Sequence, residues 1–229
     1  MNLVMLDIDG TLTQSYEYDK EIFGRAIGEV LGLPSIDADL NGYVNKTSLG
    51  VTEEAIYRIT GRNPKAEEIE EVKRIVINRL ERLYKENPAN FREVPGASVF
   101  LERLRNLSET AIAIATGCWL SEALLKLRAS SLDVKDIPLA TSDDDRDRVK
   151  IMTIAYEKAK QFHACPGFIS VVYLGDGSWD LDASASLGYG FVGIGTRIQA
   201  LEKSGSFRWH KDFLLPEEVL GSIAATIRS

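Results

Sequence analysis

Cysteine and histidine are scarce in this chain of 229 residues, with two of each, and Cys118 and Cys165 stand far apart. That excludes a disulfide scaffold, a CxxC redox pair and a Cys/His zinc cluster. So little cysteine suits a reducing compartment. Long hydrophobic runs are also missing, and no stretch approaches the ~18 apolar residues of a membrane span. The opening MNLVMLDIDG has no basic segment ahead of its short apolar run, so it does not read as a signal peptide, and a cytoplasmic location is the expectation. An excess of positive charge is lacking as well. With 34 acidic and 27 basic residues the formal charge is -7, a field that opposes duplex nucleic acid.

What is present describes a soluble globular protein: 45% apolar and 27% charged residues. The length fits one domain, or a catalytic domain with a small inserted module. Short apolar runs recur, each ending in small or polar residues. Leu3–Leu6 ends at Asp7, Ala111–Ala115 at Thr116, Ile137–Ala140 at Thr141, Ile169–Leu174 at Gly175, and Phe191–Ile194 at Gly195. Runs apolar on both alternating faces read as strands covered on both sides. Helical patterns lie between them, around Phe100–Leu107, Leu120–Leu127, Val149–Phe162 and Val219–Ile223. This alternation predicts an α/β fold, a Rossmann-like parallel sheet of about five or more strands with helices on both faces.

Between Leu12 and Pro95 the rhythm breaks, and only helices are expected, over Tyr18–Leu31, Thr52–Thr60 and Ala66–Tyr84. The third carries Ile69, Val72, Val76, Leu80 and Leu83 on one face. Its acidic residues come early and its basic ones late, as the helix dipole prefers. The expected division is a core of residues 1–13 and 94–229 with an all-helical insert of residues 14–93.

Polar groups gather where the strands end, the edge at which open parallel sheets bind ligands. Asp7-Ile8-Asp9-Gly10-Thr11 follows the first strand. Two carboxylates so close repel unless a cation lies between them, and Gly10 lets backbone N–H groups turn toward an anion. Thr116-Gly117-Cys118 follows the second strand and offers a hydroxyl and a small-residue turn at a helix start, a phosphate-sized pocket or simply a helix cap. Gly175-Asp176-Gly177-Ser178-Trp179-Asp180 follows the fourth strand, and a helix beginning near Trp179 turns both aspartates toward Asp7. Hard oxygen ligands of this kind suit Mg²⁺. A phosphate among these carboxylates needs a fixed cation, and Arg146, Arg148 and Lys150 all stand at the start of a helix, Arg148 foremost.

These segments resemble the motifs of the haloacid dehalogenase-like hydrolases, a superfamily dominated by phosphatases, over nearly the whole chain. DIDGTLT at residues 7–13 is similar to the first motif, Thr116 in IAIATG to the second and GDGSWD at 175–180 to the fourth. The third departs from the usual text, and DDDRDRVKI resembles its arginine version, with Arg148 in the role. Gln14 stands where many members have aspartate. The insert resembles the small helical cap of that family. The resemblance implies Asp7 as nucleophile and Asp9 as acid and base. It implies Mg²⁺ held by Asp7, the backbone carbonyl of Asp9, Asp176 and Asp180. Gly10, Thr116, Gly117 and Arg148 then hold the phosphoryl oxygens. Dehalogenases of the family lack the aspartate two residues after the nucleophile, so Asp9 points to a phosphate ester. The implied partner is a small phosphorylated metabolite and the implied enzyme a phosphoric monoester hydrolase. A phosphomutase acting on a sugar phosphate is the alternative.

Lys46-Thr47-Ser48-Leu49-Gly50 interrupts the insert's helical pattern and is read either as a substrate-reading loop, with Lys46 toward a second anionic group, or as a plain connection. Trp119 and Trp179 read as packing residues before entrance residues, Cys118 as small buried packing, His163 as the end of a helical pattern and His210 as part of a surface-like segment, neither histidine with a base-and-nucleophile context.

Overall fold

A computed structural model describes residues 1–15, 19–38, 42–201 and 207–228. Six parallel strands form one sheet in the order β3-β2-β1-β4-β5-β6. They are β1 (Asn2–Leu6), β2 (Thr110–Ala115), β3 (Leu139–Ala140), β4 (Val171–Gly175), β5 (Gly190–Ile194) and β6 (Arg208–His210). Alternation along β1 sends Val4 and Leu6 to one face and Leu3 and Met5 to the other. On the first face lie α4 (Ala97–Arg105) and α9 (Pro216–Ile227), where Phe100 stacks on Phe213 at 4.4 Å. On the other lie α6 (Arg148–Phe162), α7 (Ser178–Leu187) and the short α8 (Thr196–Gln199). That face of β2 presents only Ala111, Ala113 and Ala115, against Ala155 and Ala159 of α6. Small residues on both sides let the helix approach closely.

The expected α/β architecture is therefore present, with three local differences. The third strand is two residues long rather than Ile137–Ala140. The sixth, Arg208–His210, is not among the expected strands, because Arg-Trp-His has no apolar alternation to mark one. The helix α8 had no counterpart in the sequence reading.

The helical segment contains α1 (Asp19–Val30), α2 (Ser48–Thr60) and α3 (Ala66–Glu86). The expected start of α1 at Tyr18 lies outside the described residues. The second helix begins four residues before the expected Thr52, because Thr47 caps it: its hydroxyl accepts the Gly50 N–H at 3.1 Å. Ser48 and Gly50 therefore form a first helical turn, and the Lys46–Gly50 loop shrinks to its opening residues. The three helices share a core of Phe23, Ile27, Ile56, Val72, Val76 and Leu80. Trp119 and Leu125 of the α/β body enter that same core, Leu125 from α5 (Leu120–Ala129) and Trp119 from just before it. Trp119 stacks on Phe23 at 5.4 Å. Among the described residues, no helix is long and apolar enough to cross a membrane.

Candidate active site

In the strand order the first and fourth strands lie side by side, and their C-terminal ends bring Asp7 and Asp176 together. The peptide N–H of Asp7 donates to Leu174 O at 3.0 Å, which fixes the turn out of β1. Gly10 then takes φ +77°, and a Cβ there would lie 1.8 Å from Asp176 Oδ2. Only glycine allows this approach. The first turn of α7 adds Asp180, which accepts the Gly177 N–H at 3.1 Å and is fully buried.

Arg148, the first residue of α6, reaches into this group. Its Nη1 lies 3.2 Å from Asp7 Oδ1 and 3.1 Å from Asp180 Oδ1. The same nitrogen is 3.3 Å from the hydroxyl of Tyr173, which in turn donates to Ala115 O at 2.8 Å. A Cβ on Gly117 would lie 2.9 Å from Arg148 Nη2, so the Thr116–Gly117 turn passes directly over the guanidinium. The other two candidate cations point elsewhere: Arg146 pairs with Glu53 at 2.9 Å and Lys150 with Asp145 at 3.4 Å. Asp143 and Asp144, in the acidic run before α6, are also paired, with Lys73 at 2.5 Å and Lys158 at 2.9 Å.

Burial dominates the electrostatics. It pushes Asp7 up to about 7, against the attraction of Arg148 and with the repulsion of Asp180 and Asp9. It also raises Asp176, against Arg197, and Asp180, against Arg148. Arg148 is raised well above its ordinary value, because Asp180 and Asp7 outweigh the cost of burying it.

Oxygens of Asp7, Asp176 and Asp180 lie within 4.8 Å of one another. Asp176 Oδ1 is buried with no hydrogen-bond partner among the described residues. A compact, acidic, all-oxygen set with an orphaned carboxylate oxygen fits Mg²⁺.

Asp9 belongs to a different neighbourhood. Its carboxylate accepts hydrogen bonds from Ser15, from Cys118 Sγ at 2.7 Å and from Lys126 Nζ at 2.9 Å. Burial pushes Asp9 up, but Lys126, Cys118 and Ser15 together outweigh it and hold the carboxyl below the usual range. Asp9, Cys118 and Glu122 also lie within mutual ligand reach. The Lys126 ammonium stands 2.8 Å from Glu122, however, so a cation already fills that space.

Thr116 is buried, and its hydroxyl accepts the Cys118 N–H at 3.3 Å. Lys46 Nζ lies 5.2 Å over the Trp179 ring, and the Arg197 guanidinium lies 4.7 Å from that ring. Arg197 Nη2 also holds Asp176 Oδ2 at 2.6 Å.

Sequence reasoning missed Lys126, Glu122, Tyr173 and Arg197. Glu122 and Lys126 are an i,i+4 pair of the kind normally found on a wet helix face. Arg197 follows the fifth strand in Gly-Thr-Arg, and only its place at a strand end marked it.

No protein-family model and no curated protein matches the chain. Solved structures do. A hydrolase from Pseudomonas syringae is 24% identical with a TM-score of 0.71, covering 98% of this chain and 99% of that one. A HAD hydrolase of family IA from Entamoeba histolytica is 17% identical with a TM-score of 0.70, covering 100% of both chains. CbbY from Rhodobacter sphaeroides, a mutant solved with xylulose-(1,5)bisphosphate, is 20% identical with a TM-score of 0.67, covering 93% of this chain and 95% of that one. The chain thus has the fold of the haloacid dehalogenase-like hydrolases.

Proposed function

From that fold and its strand-end carboxylates, we propose that this chain is a Mg²⁺-dependent phosphatase that hydrolyses a small phosphorylated metabolite through an aspartyl-phosphate on Asp7. Residues 1–13 and 94–229 are the catalytic core in this reading, and residues 14–93 are a helical cap above it. One observation carries the proposal: Arg148 is gripped at once by Asp7 and Asp180, beside Asp176. An anion site and a divalent-cation site therefore share one wall.

A carboxylate oxygen of Asp7 attacks phosphorus, and the bond to the leaving oxygen breaks. Asp9 delivers a proton to that oxygen. Its low proton affinity in the free protein rises when a phosphate dianion arrives, because like charge favours the protonated form. Once ionised again, Asp9 takes a proton from water. The water oxygen attacks phosphorus, the bond to Asp7 breaks and inorganic phosphate leaves. Arg148, Thr116 and the backbone around Gly10 and Gly117 hold the phosphoryl oxygens. When bound, Mg²⁺ would be held by Asp7, Asp176, Asp180 and the Asp9 backbone carbonyl, and would supply charge that offsets carboxylate–phosphate repulsion. In this reading Lys46, which lies over Trp179, meets a second anionic group of the substrate.

The test is inorganic phosphate release from a panel of phosphorylated metabolites, with Mg²⁺ and with chelator, beside Asp7→Asn. Metal-dependent release that Asp7→Asn abolishes supports the reading. Interconversion of sugar-phosphate isomers without release replaces it with a phosphomutase, and silence on every compound overturns it.

A further inference from the structure

Lys126 is fully buried, a rare state for lysine, and Glu122 one turn before it is 1% exposed. Neither adjoins the phosphate-site motifs in sequence, yet the ammonium lies 2.9 Å from both oxygens of Asp9. Its other side donates to Glu122 Oε1 at 2.8 Å. The second oxygen of Glu122 accepts from the hydroxyl of Ser48 at 2.8 Å and from the Trp119 N–H at 3.3 Å. Ser48 opens α2 in the helical segment, and its own N–H donates to Gly117 O at 2.7 Å. A buried chain of charged and polar groups thus runs from the helical segment to Asp9.

We propose that Lys126, oriented by Glu122, is a positioning residue that fixes the Asp9 carboxylate, and that Ser48 ties this fixation to the seating of the helical segment. The inference rests on the phosphatase reading. An ion pair with no solvent to screen it tolerates little displacement, so the carboxylate that must face the leaving oxygen and then a water keeps one orientation. A surface pair would impose no such restraint. Glu122 serves two ends: one oxygen holds Lys126, and the other is shared between the Trp119 N–H and the Ser48 hydroxyl. An unseated helical segment takes the Ser48 hydroxyl away, leaves that oxygen only the longer Trp119 contact, and loosens the grip on Asp9.

The experiment compares wild type, Lys126→Met, Asp9→Asn and the double variant on an alkyl phosphate ester with Mg²⁺, each checked for folding by circular dichroism. A misplacement of about 1 Å in a reacting group costs on the order of 10²-fold. Lys126→Met is therefore expected to lower kcat by about 10- to 100-fold with KM changed by less than about twofold. Because Lys126 acts through Asp9, the double variant should match Asp9→Asn. Ser48→Ala should lower kcat less than Lys126→Met does, and should add nothing to it. If Lys126→Met does not fold, the charge-balanced variant E122Q/K126M takes its place with the same expectations. A double variant that multiplies the two single losses, or a Lys126→Met enzyme with wild-type kcat, overturns this inference and leaves the phosphatase reading standing. A wild type without turnover on this ester and on every compound of the phosphate-ester panel overturns both.

Discussion

Replacing Asp7 by asparagine should stabilise the metal-free protein while abolishing turnover. The neutral amide has nearly the shape of the carboxyl, and the size of the effect comes from burial. Asp7 has an ordinary value of 3.8 when unfolded and about 7 when folded. A folded value above the unfolded one means that the native state holds a proton which the unfolded chain has already lost. Stability is therefore fully present below about pH 4 and is lost as pH rises toward about 7. Each pH unit of that gap is worth about 1.4 kcal/mol, so the wild type gives up about 4 kcal/mol by pH 7.5. Asparagine gives up none of it. For a chain of this length about 4 kcal/mol corresponds to a rise in Tm of about 8–16 °C. The assay is a melting series from pH 4 to pH 7.5 in chelator, repeated with Mg²⁺. The advantage of the variant should shrink toward pH 4. It should also shrink when Mg²⁺ is added, because the ion favours the ionised wild-type site. A variant that melts at or below the wild type in chelator at pH 7.5, or an advantage independent of pH, would refute the reasoning.

Three further outcomes are expected. Gly10→Ala forces a side chain into a left-handed turn against Asp176 and should cost at least about 1–2 kcal/mol together with most activity; a thermal melt and phosphate release check both. Arg197→Gln removes a cation that grips Asp176 and should tighten Mn²⁺ binding, measured by electron paramagnetic resonance, by about tenfold; unchanged affinity would mean that the guanidinium and the ion do not compete. Trp119→Ala empties a buried ring site and should lower unfolding stability by about 3–5 kcal/mol in urea titrations.

The strands that build the site were legible because both faces of β1, β2, β4 and β5 are covered, which leaves uninterrupted apolar runs ending in aspartate, threonine or glycine. The edge strands were less legible: the run Ile137–Ala140 marked β3 but overstated its length, and the polar β6 carries no apolar run. The start of α2 was hidden by Thr47, Ser48 and Gly50, residues typical of loops, although threonine is also a helix cap. Asp7, Asp9, Asp176 and Asp180 announced themselves by spacing next to strand ends. Lys126 did not, since a Glu–Lys pair one helical turn apart ordinarily faces water. Here α5 is covered on two sides, by the sheet through Ala123 and Leu127 and by the helical segment through Leu125. Only a three-dimensional arrangement reveals that double burial.

The double role of α5 bears on how this molecule can be recombined. Exchanging residues 14–93 for the equivalent segment of another protein looks like a clean graft, with both junctions on one side of the body. Trp119 and Leu125 stay behind in such an exchange, two apolar side chains shaped for Phe23 and its neighbours and facing a foreign surface. Glu122 likewise loses the hydroxyl of Ser48. The smallest interchangeable unit is therefore discontinuous: the three helices together with the outer face of α5. A chimera that respects this boundary keeps both cores closed, and one that ignores it begins with an open seam beside Asp9 and Lys126.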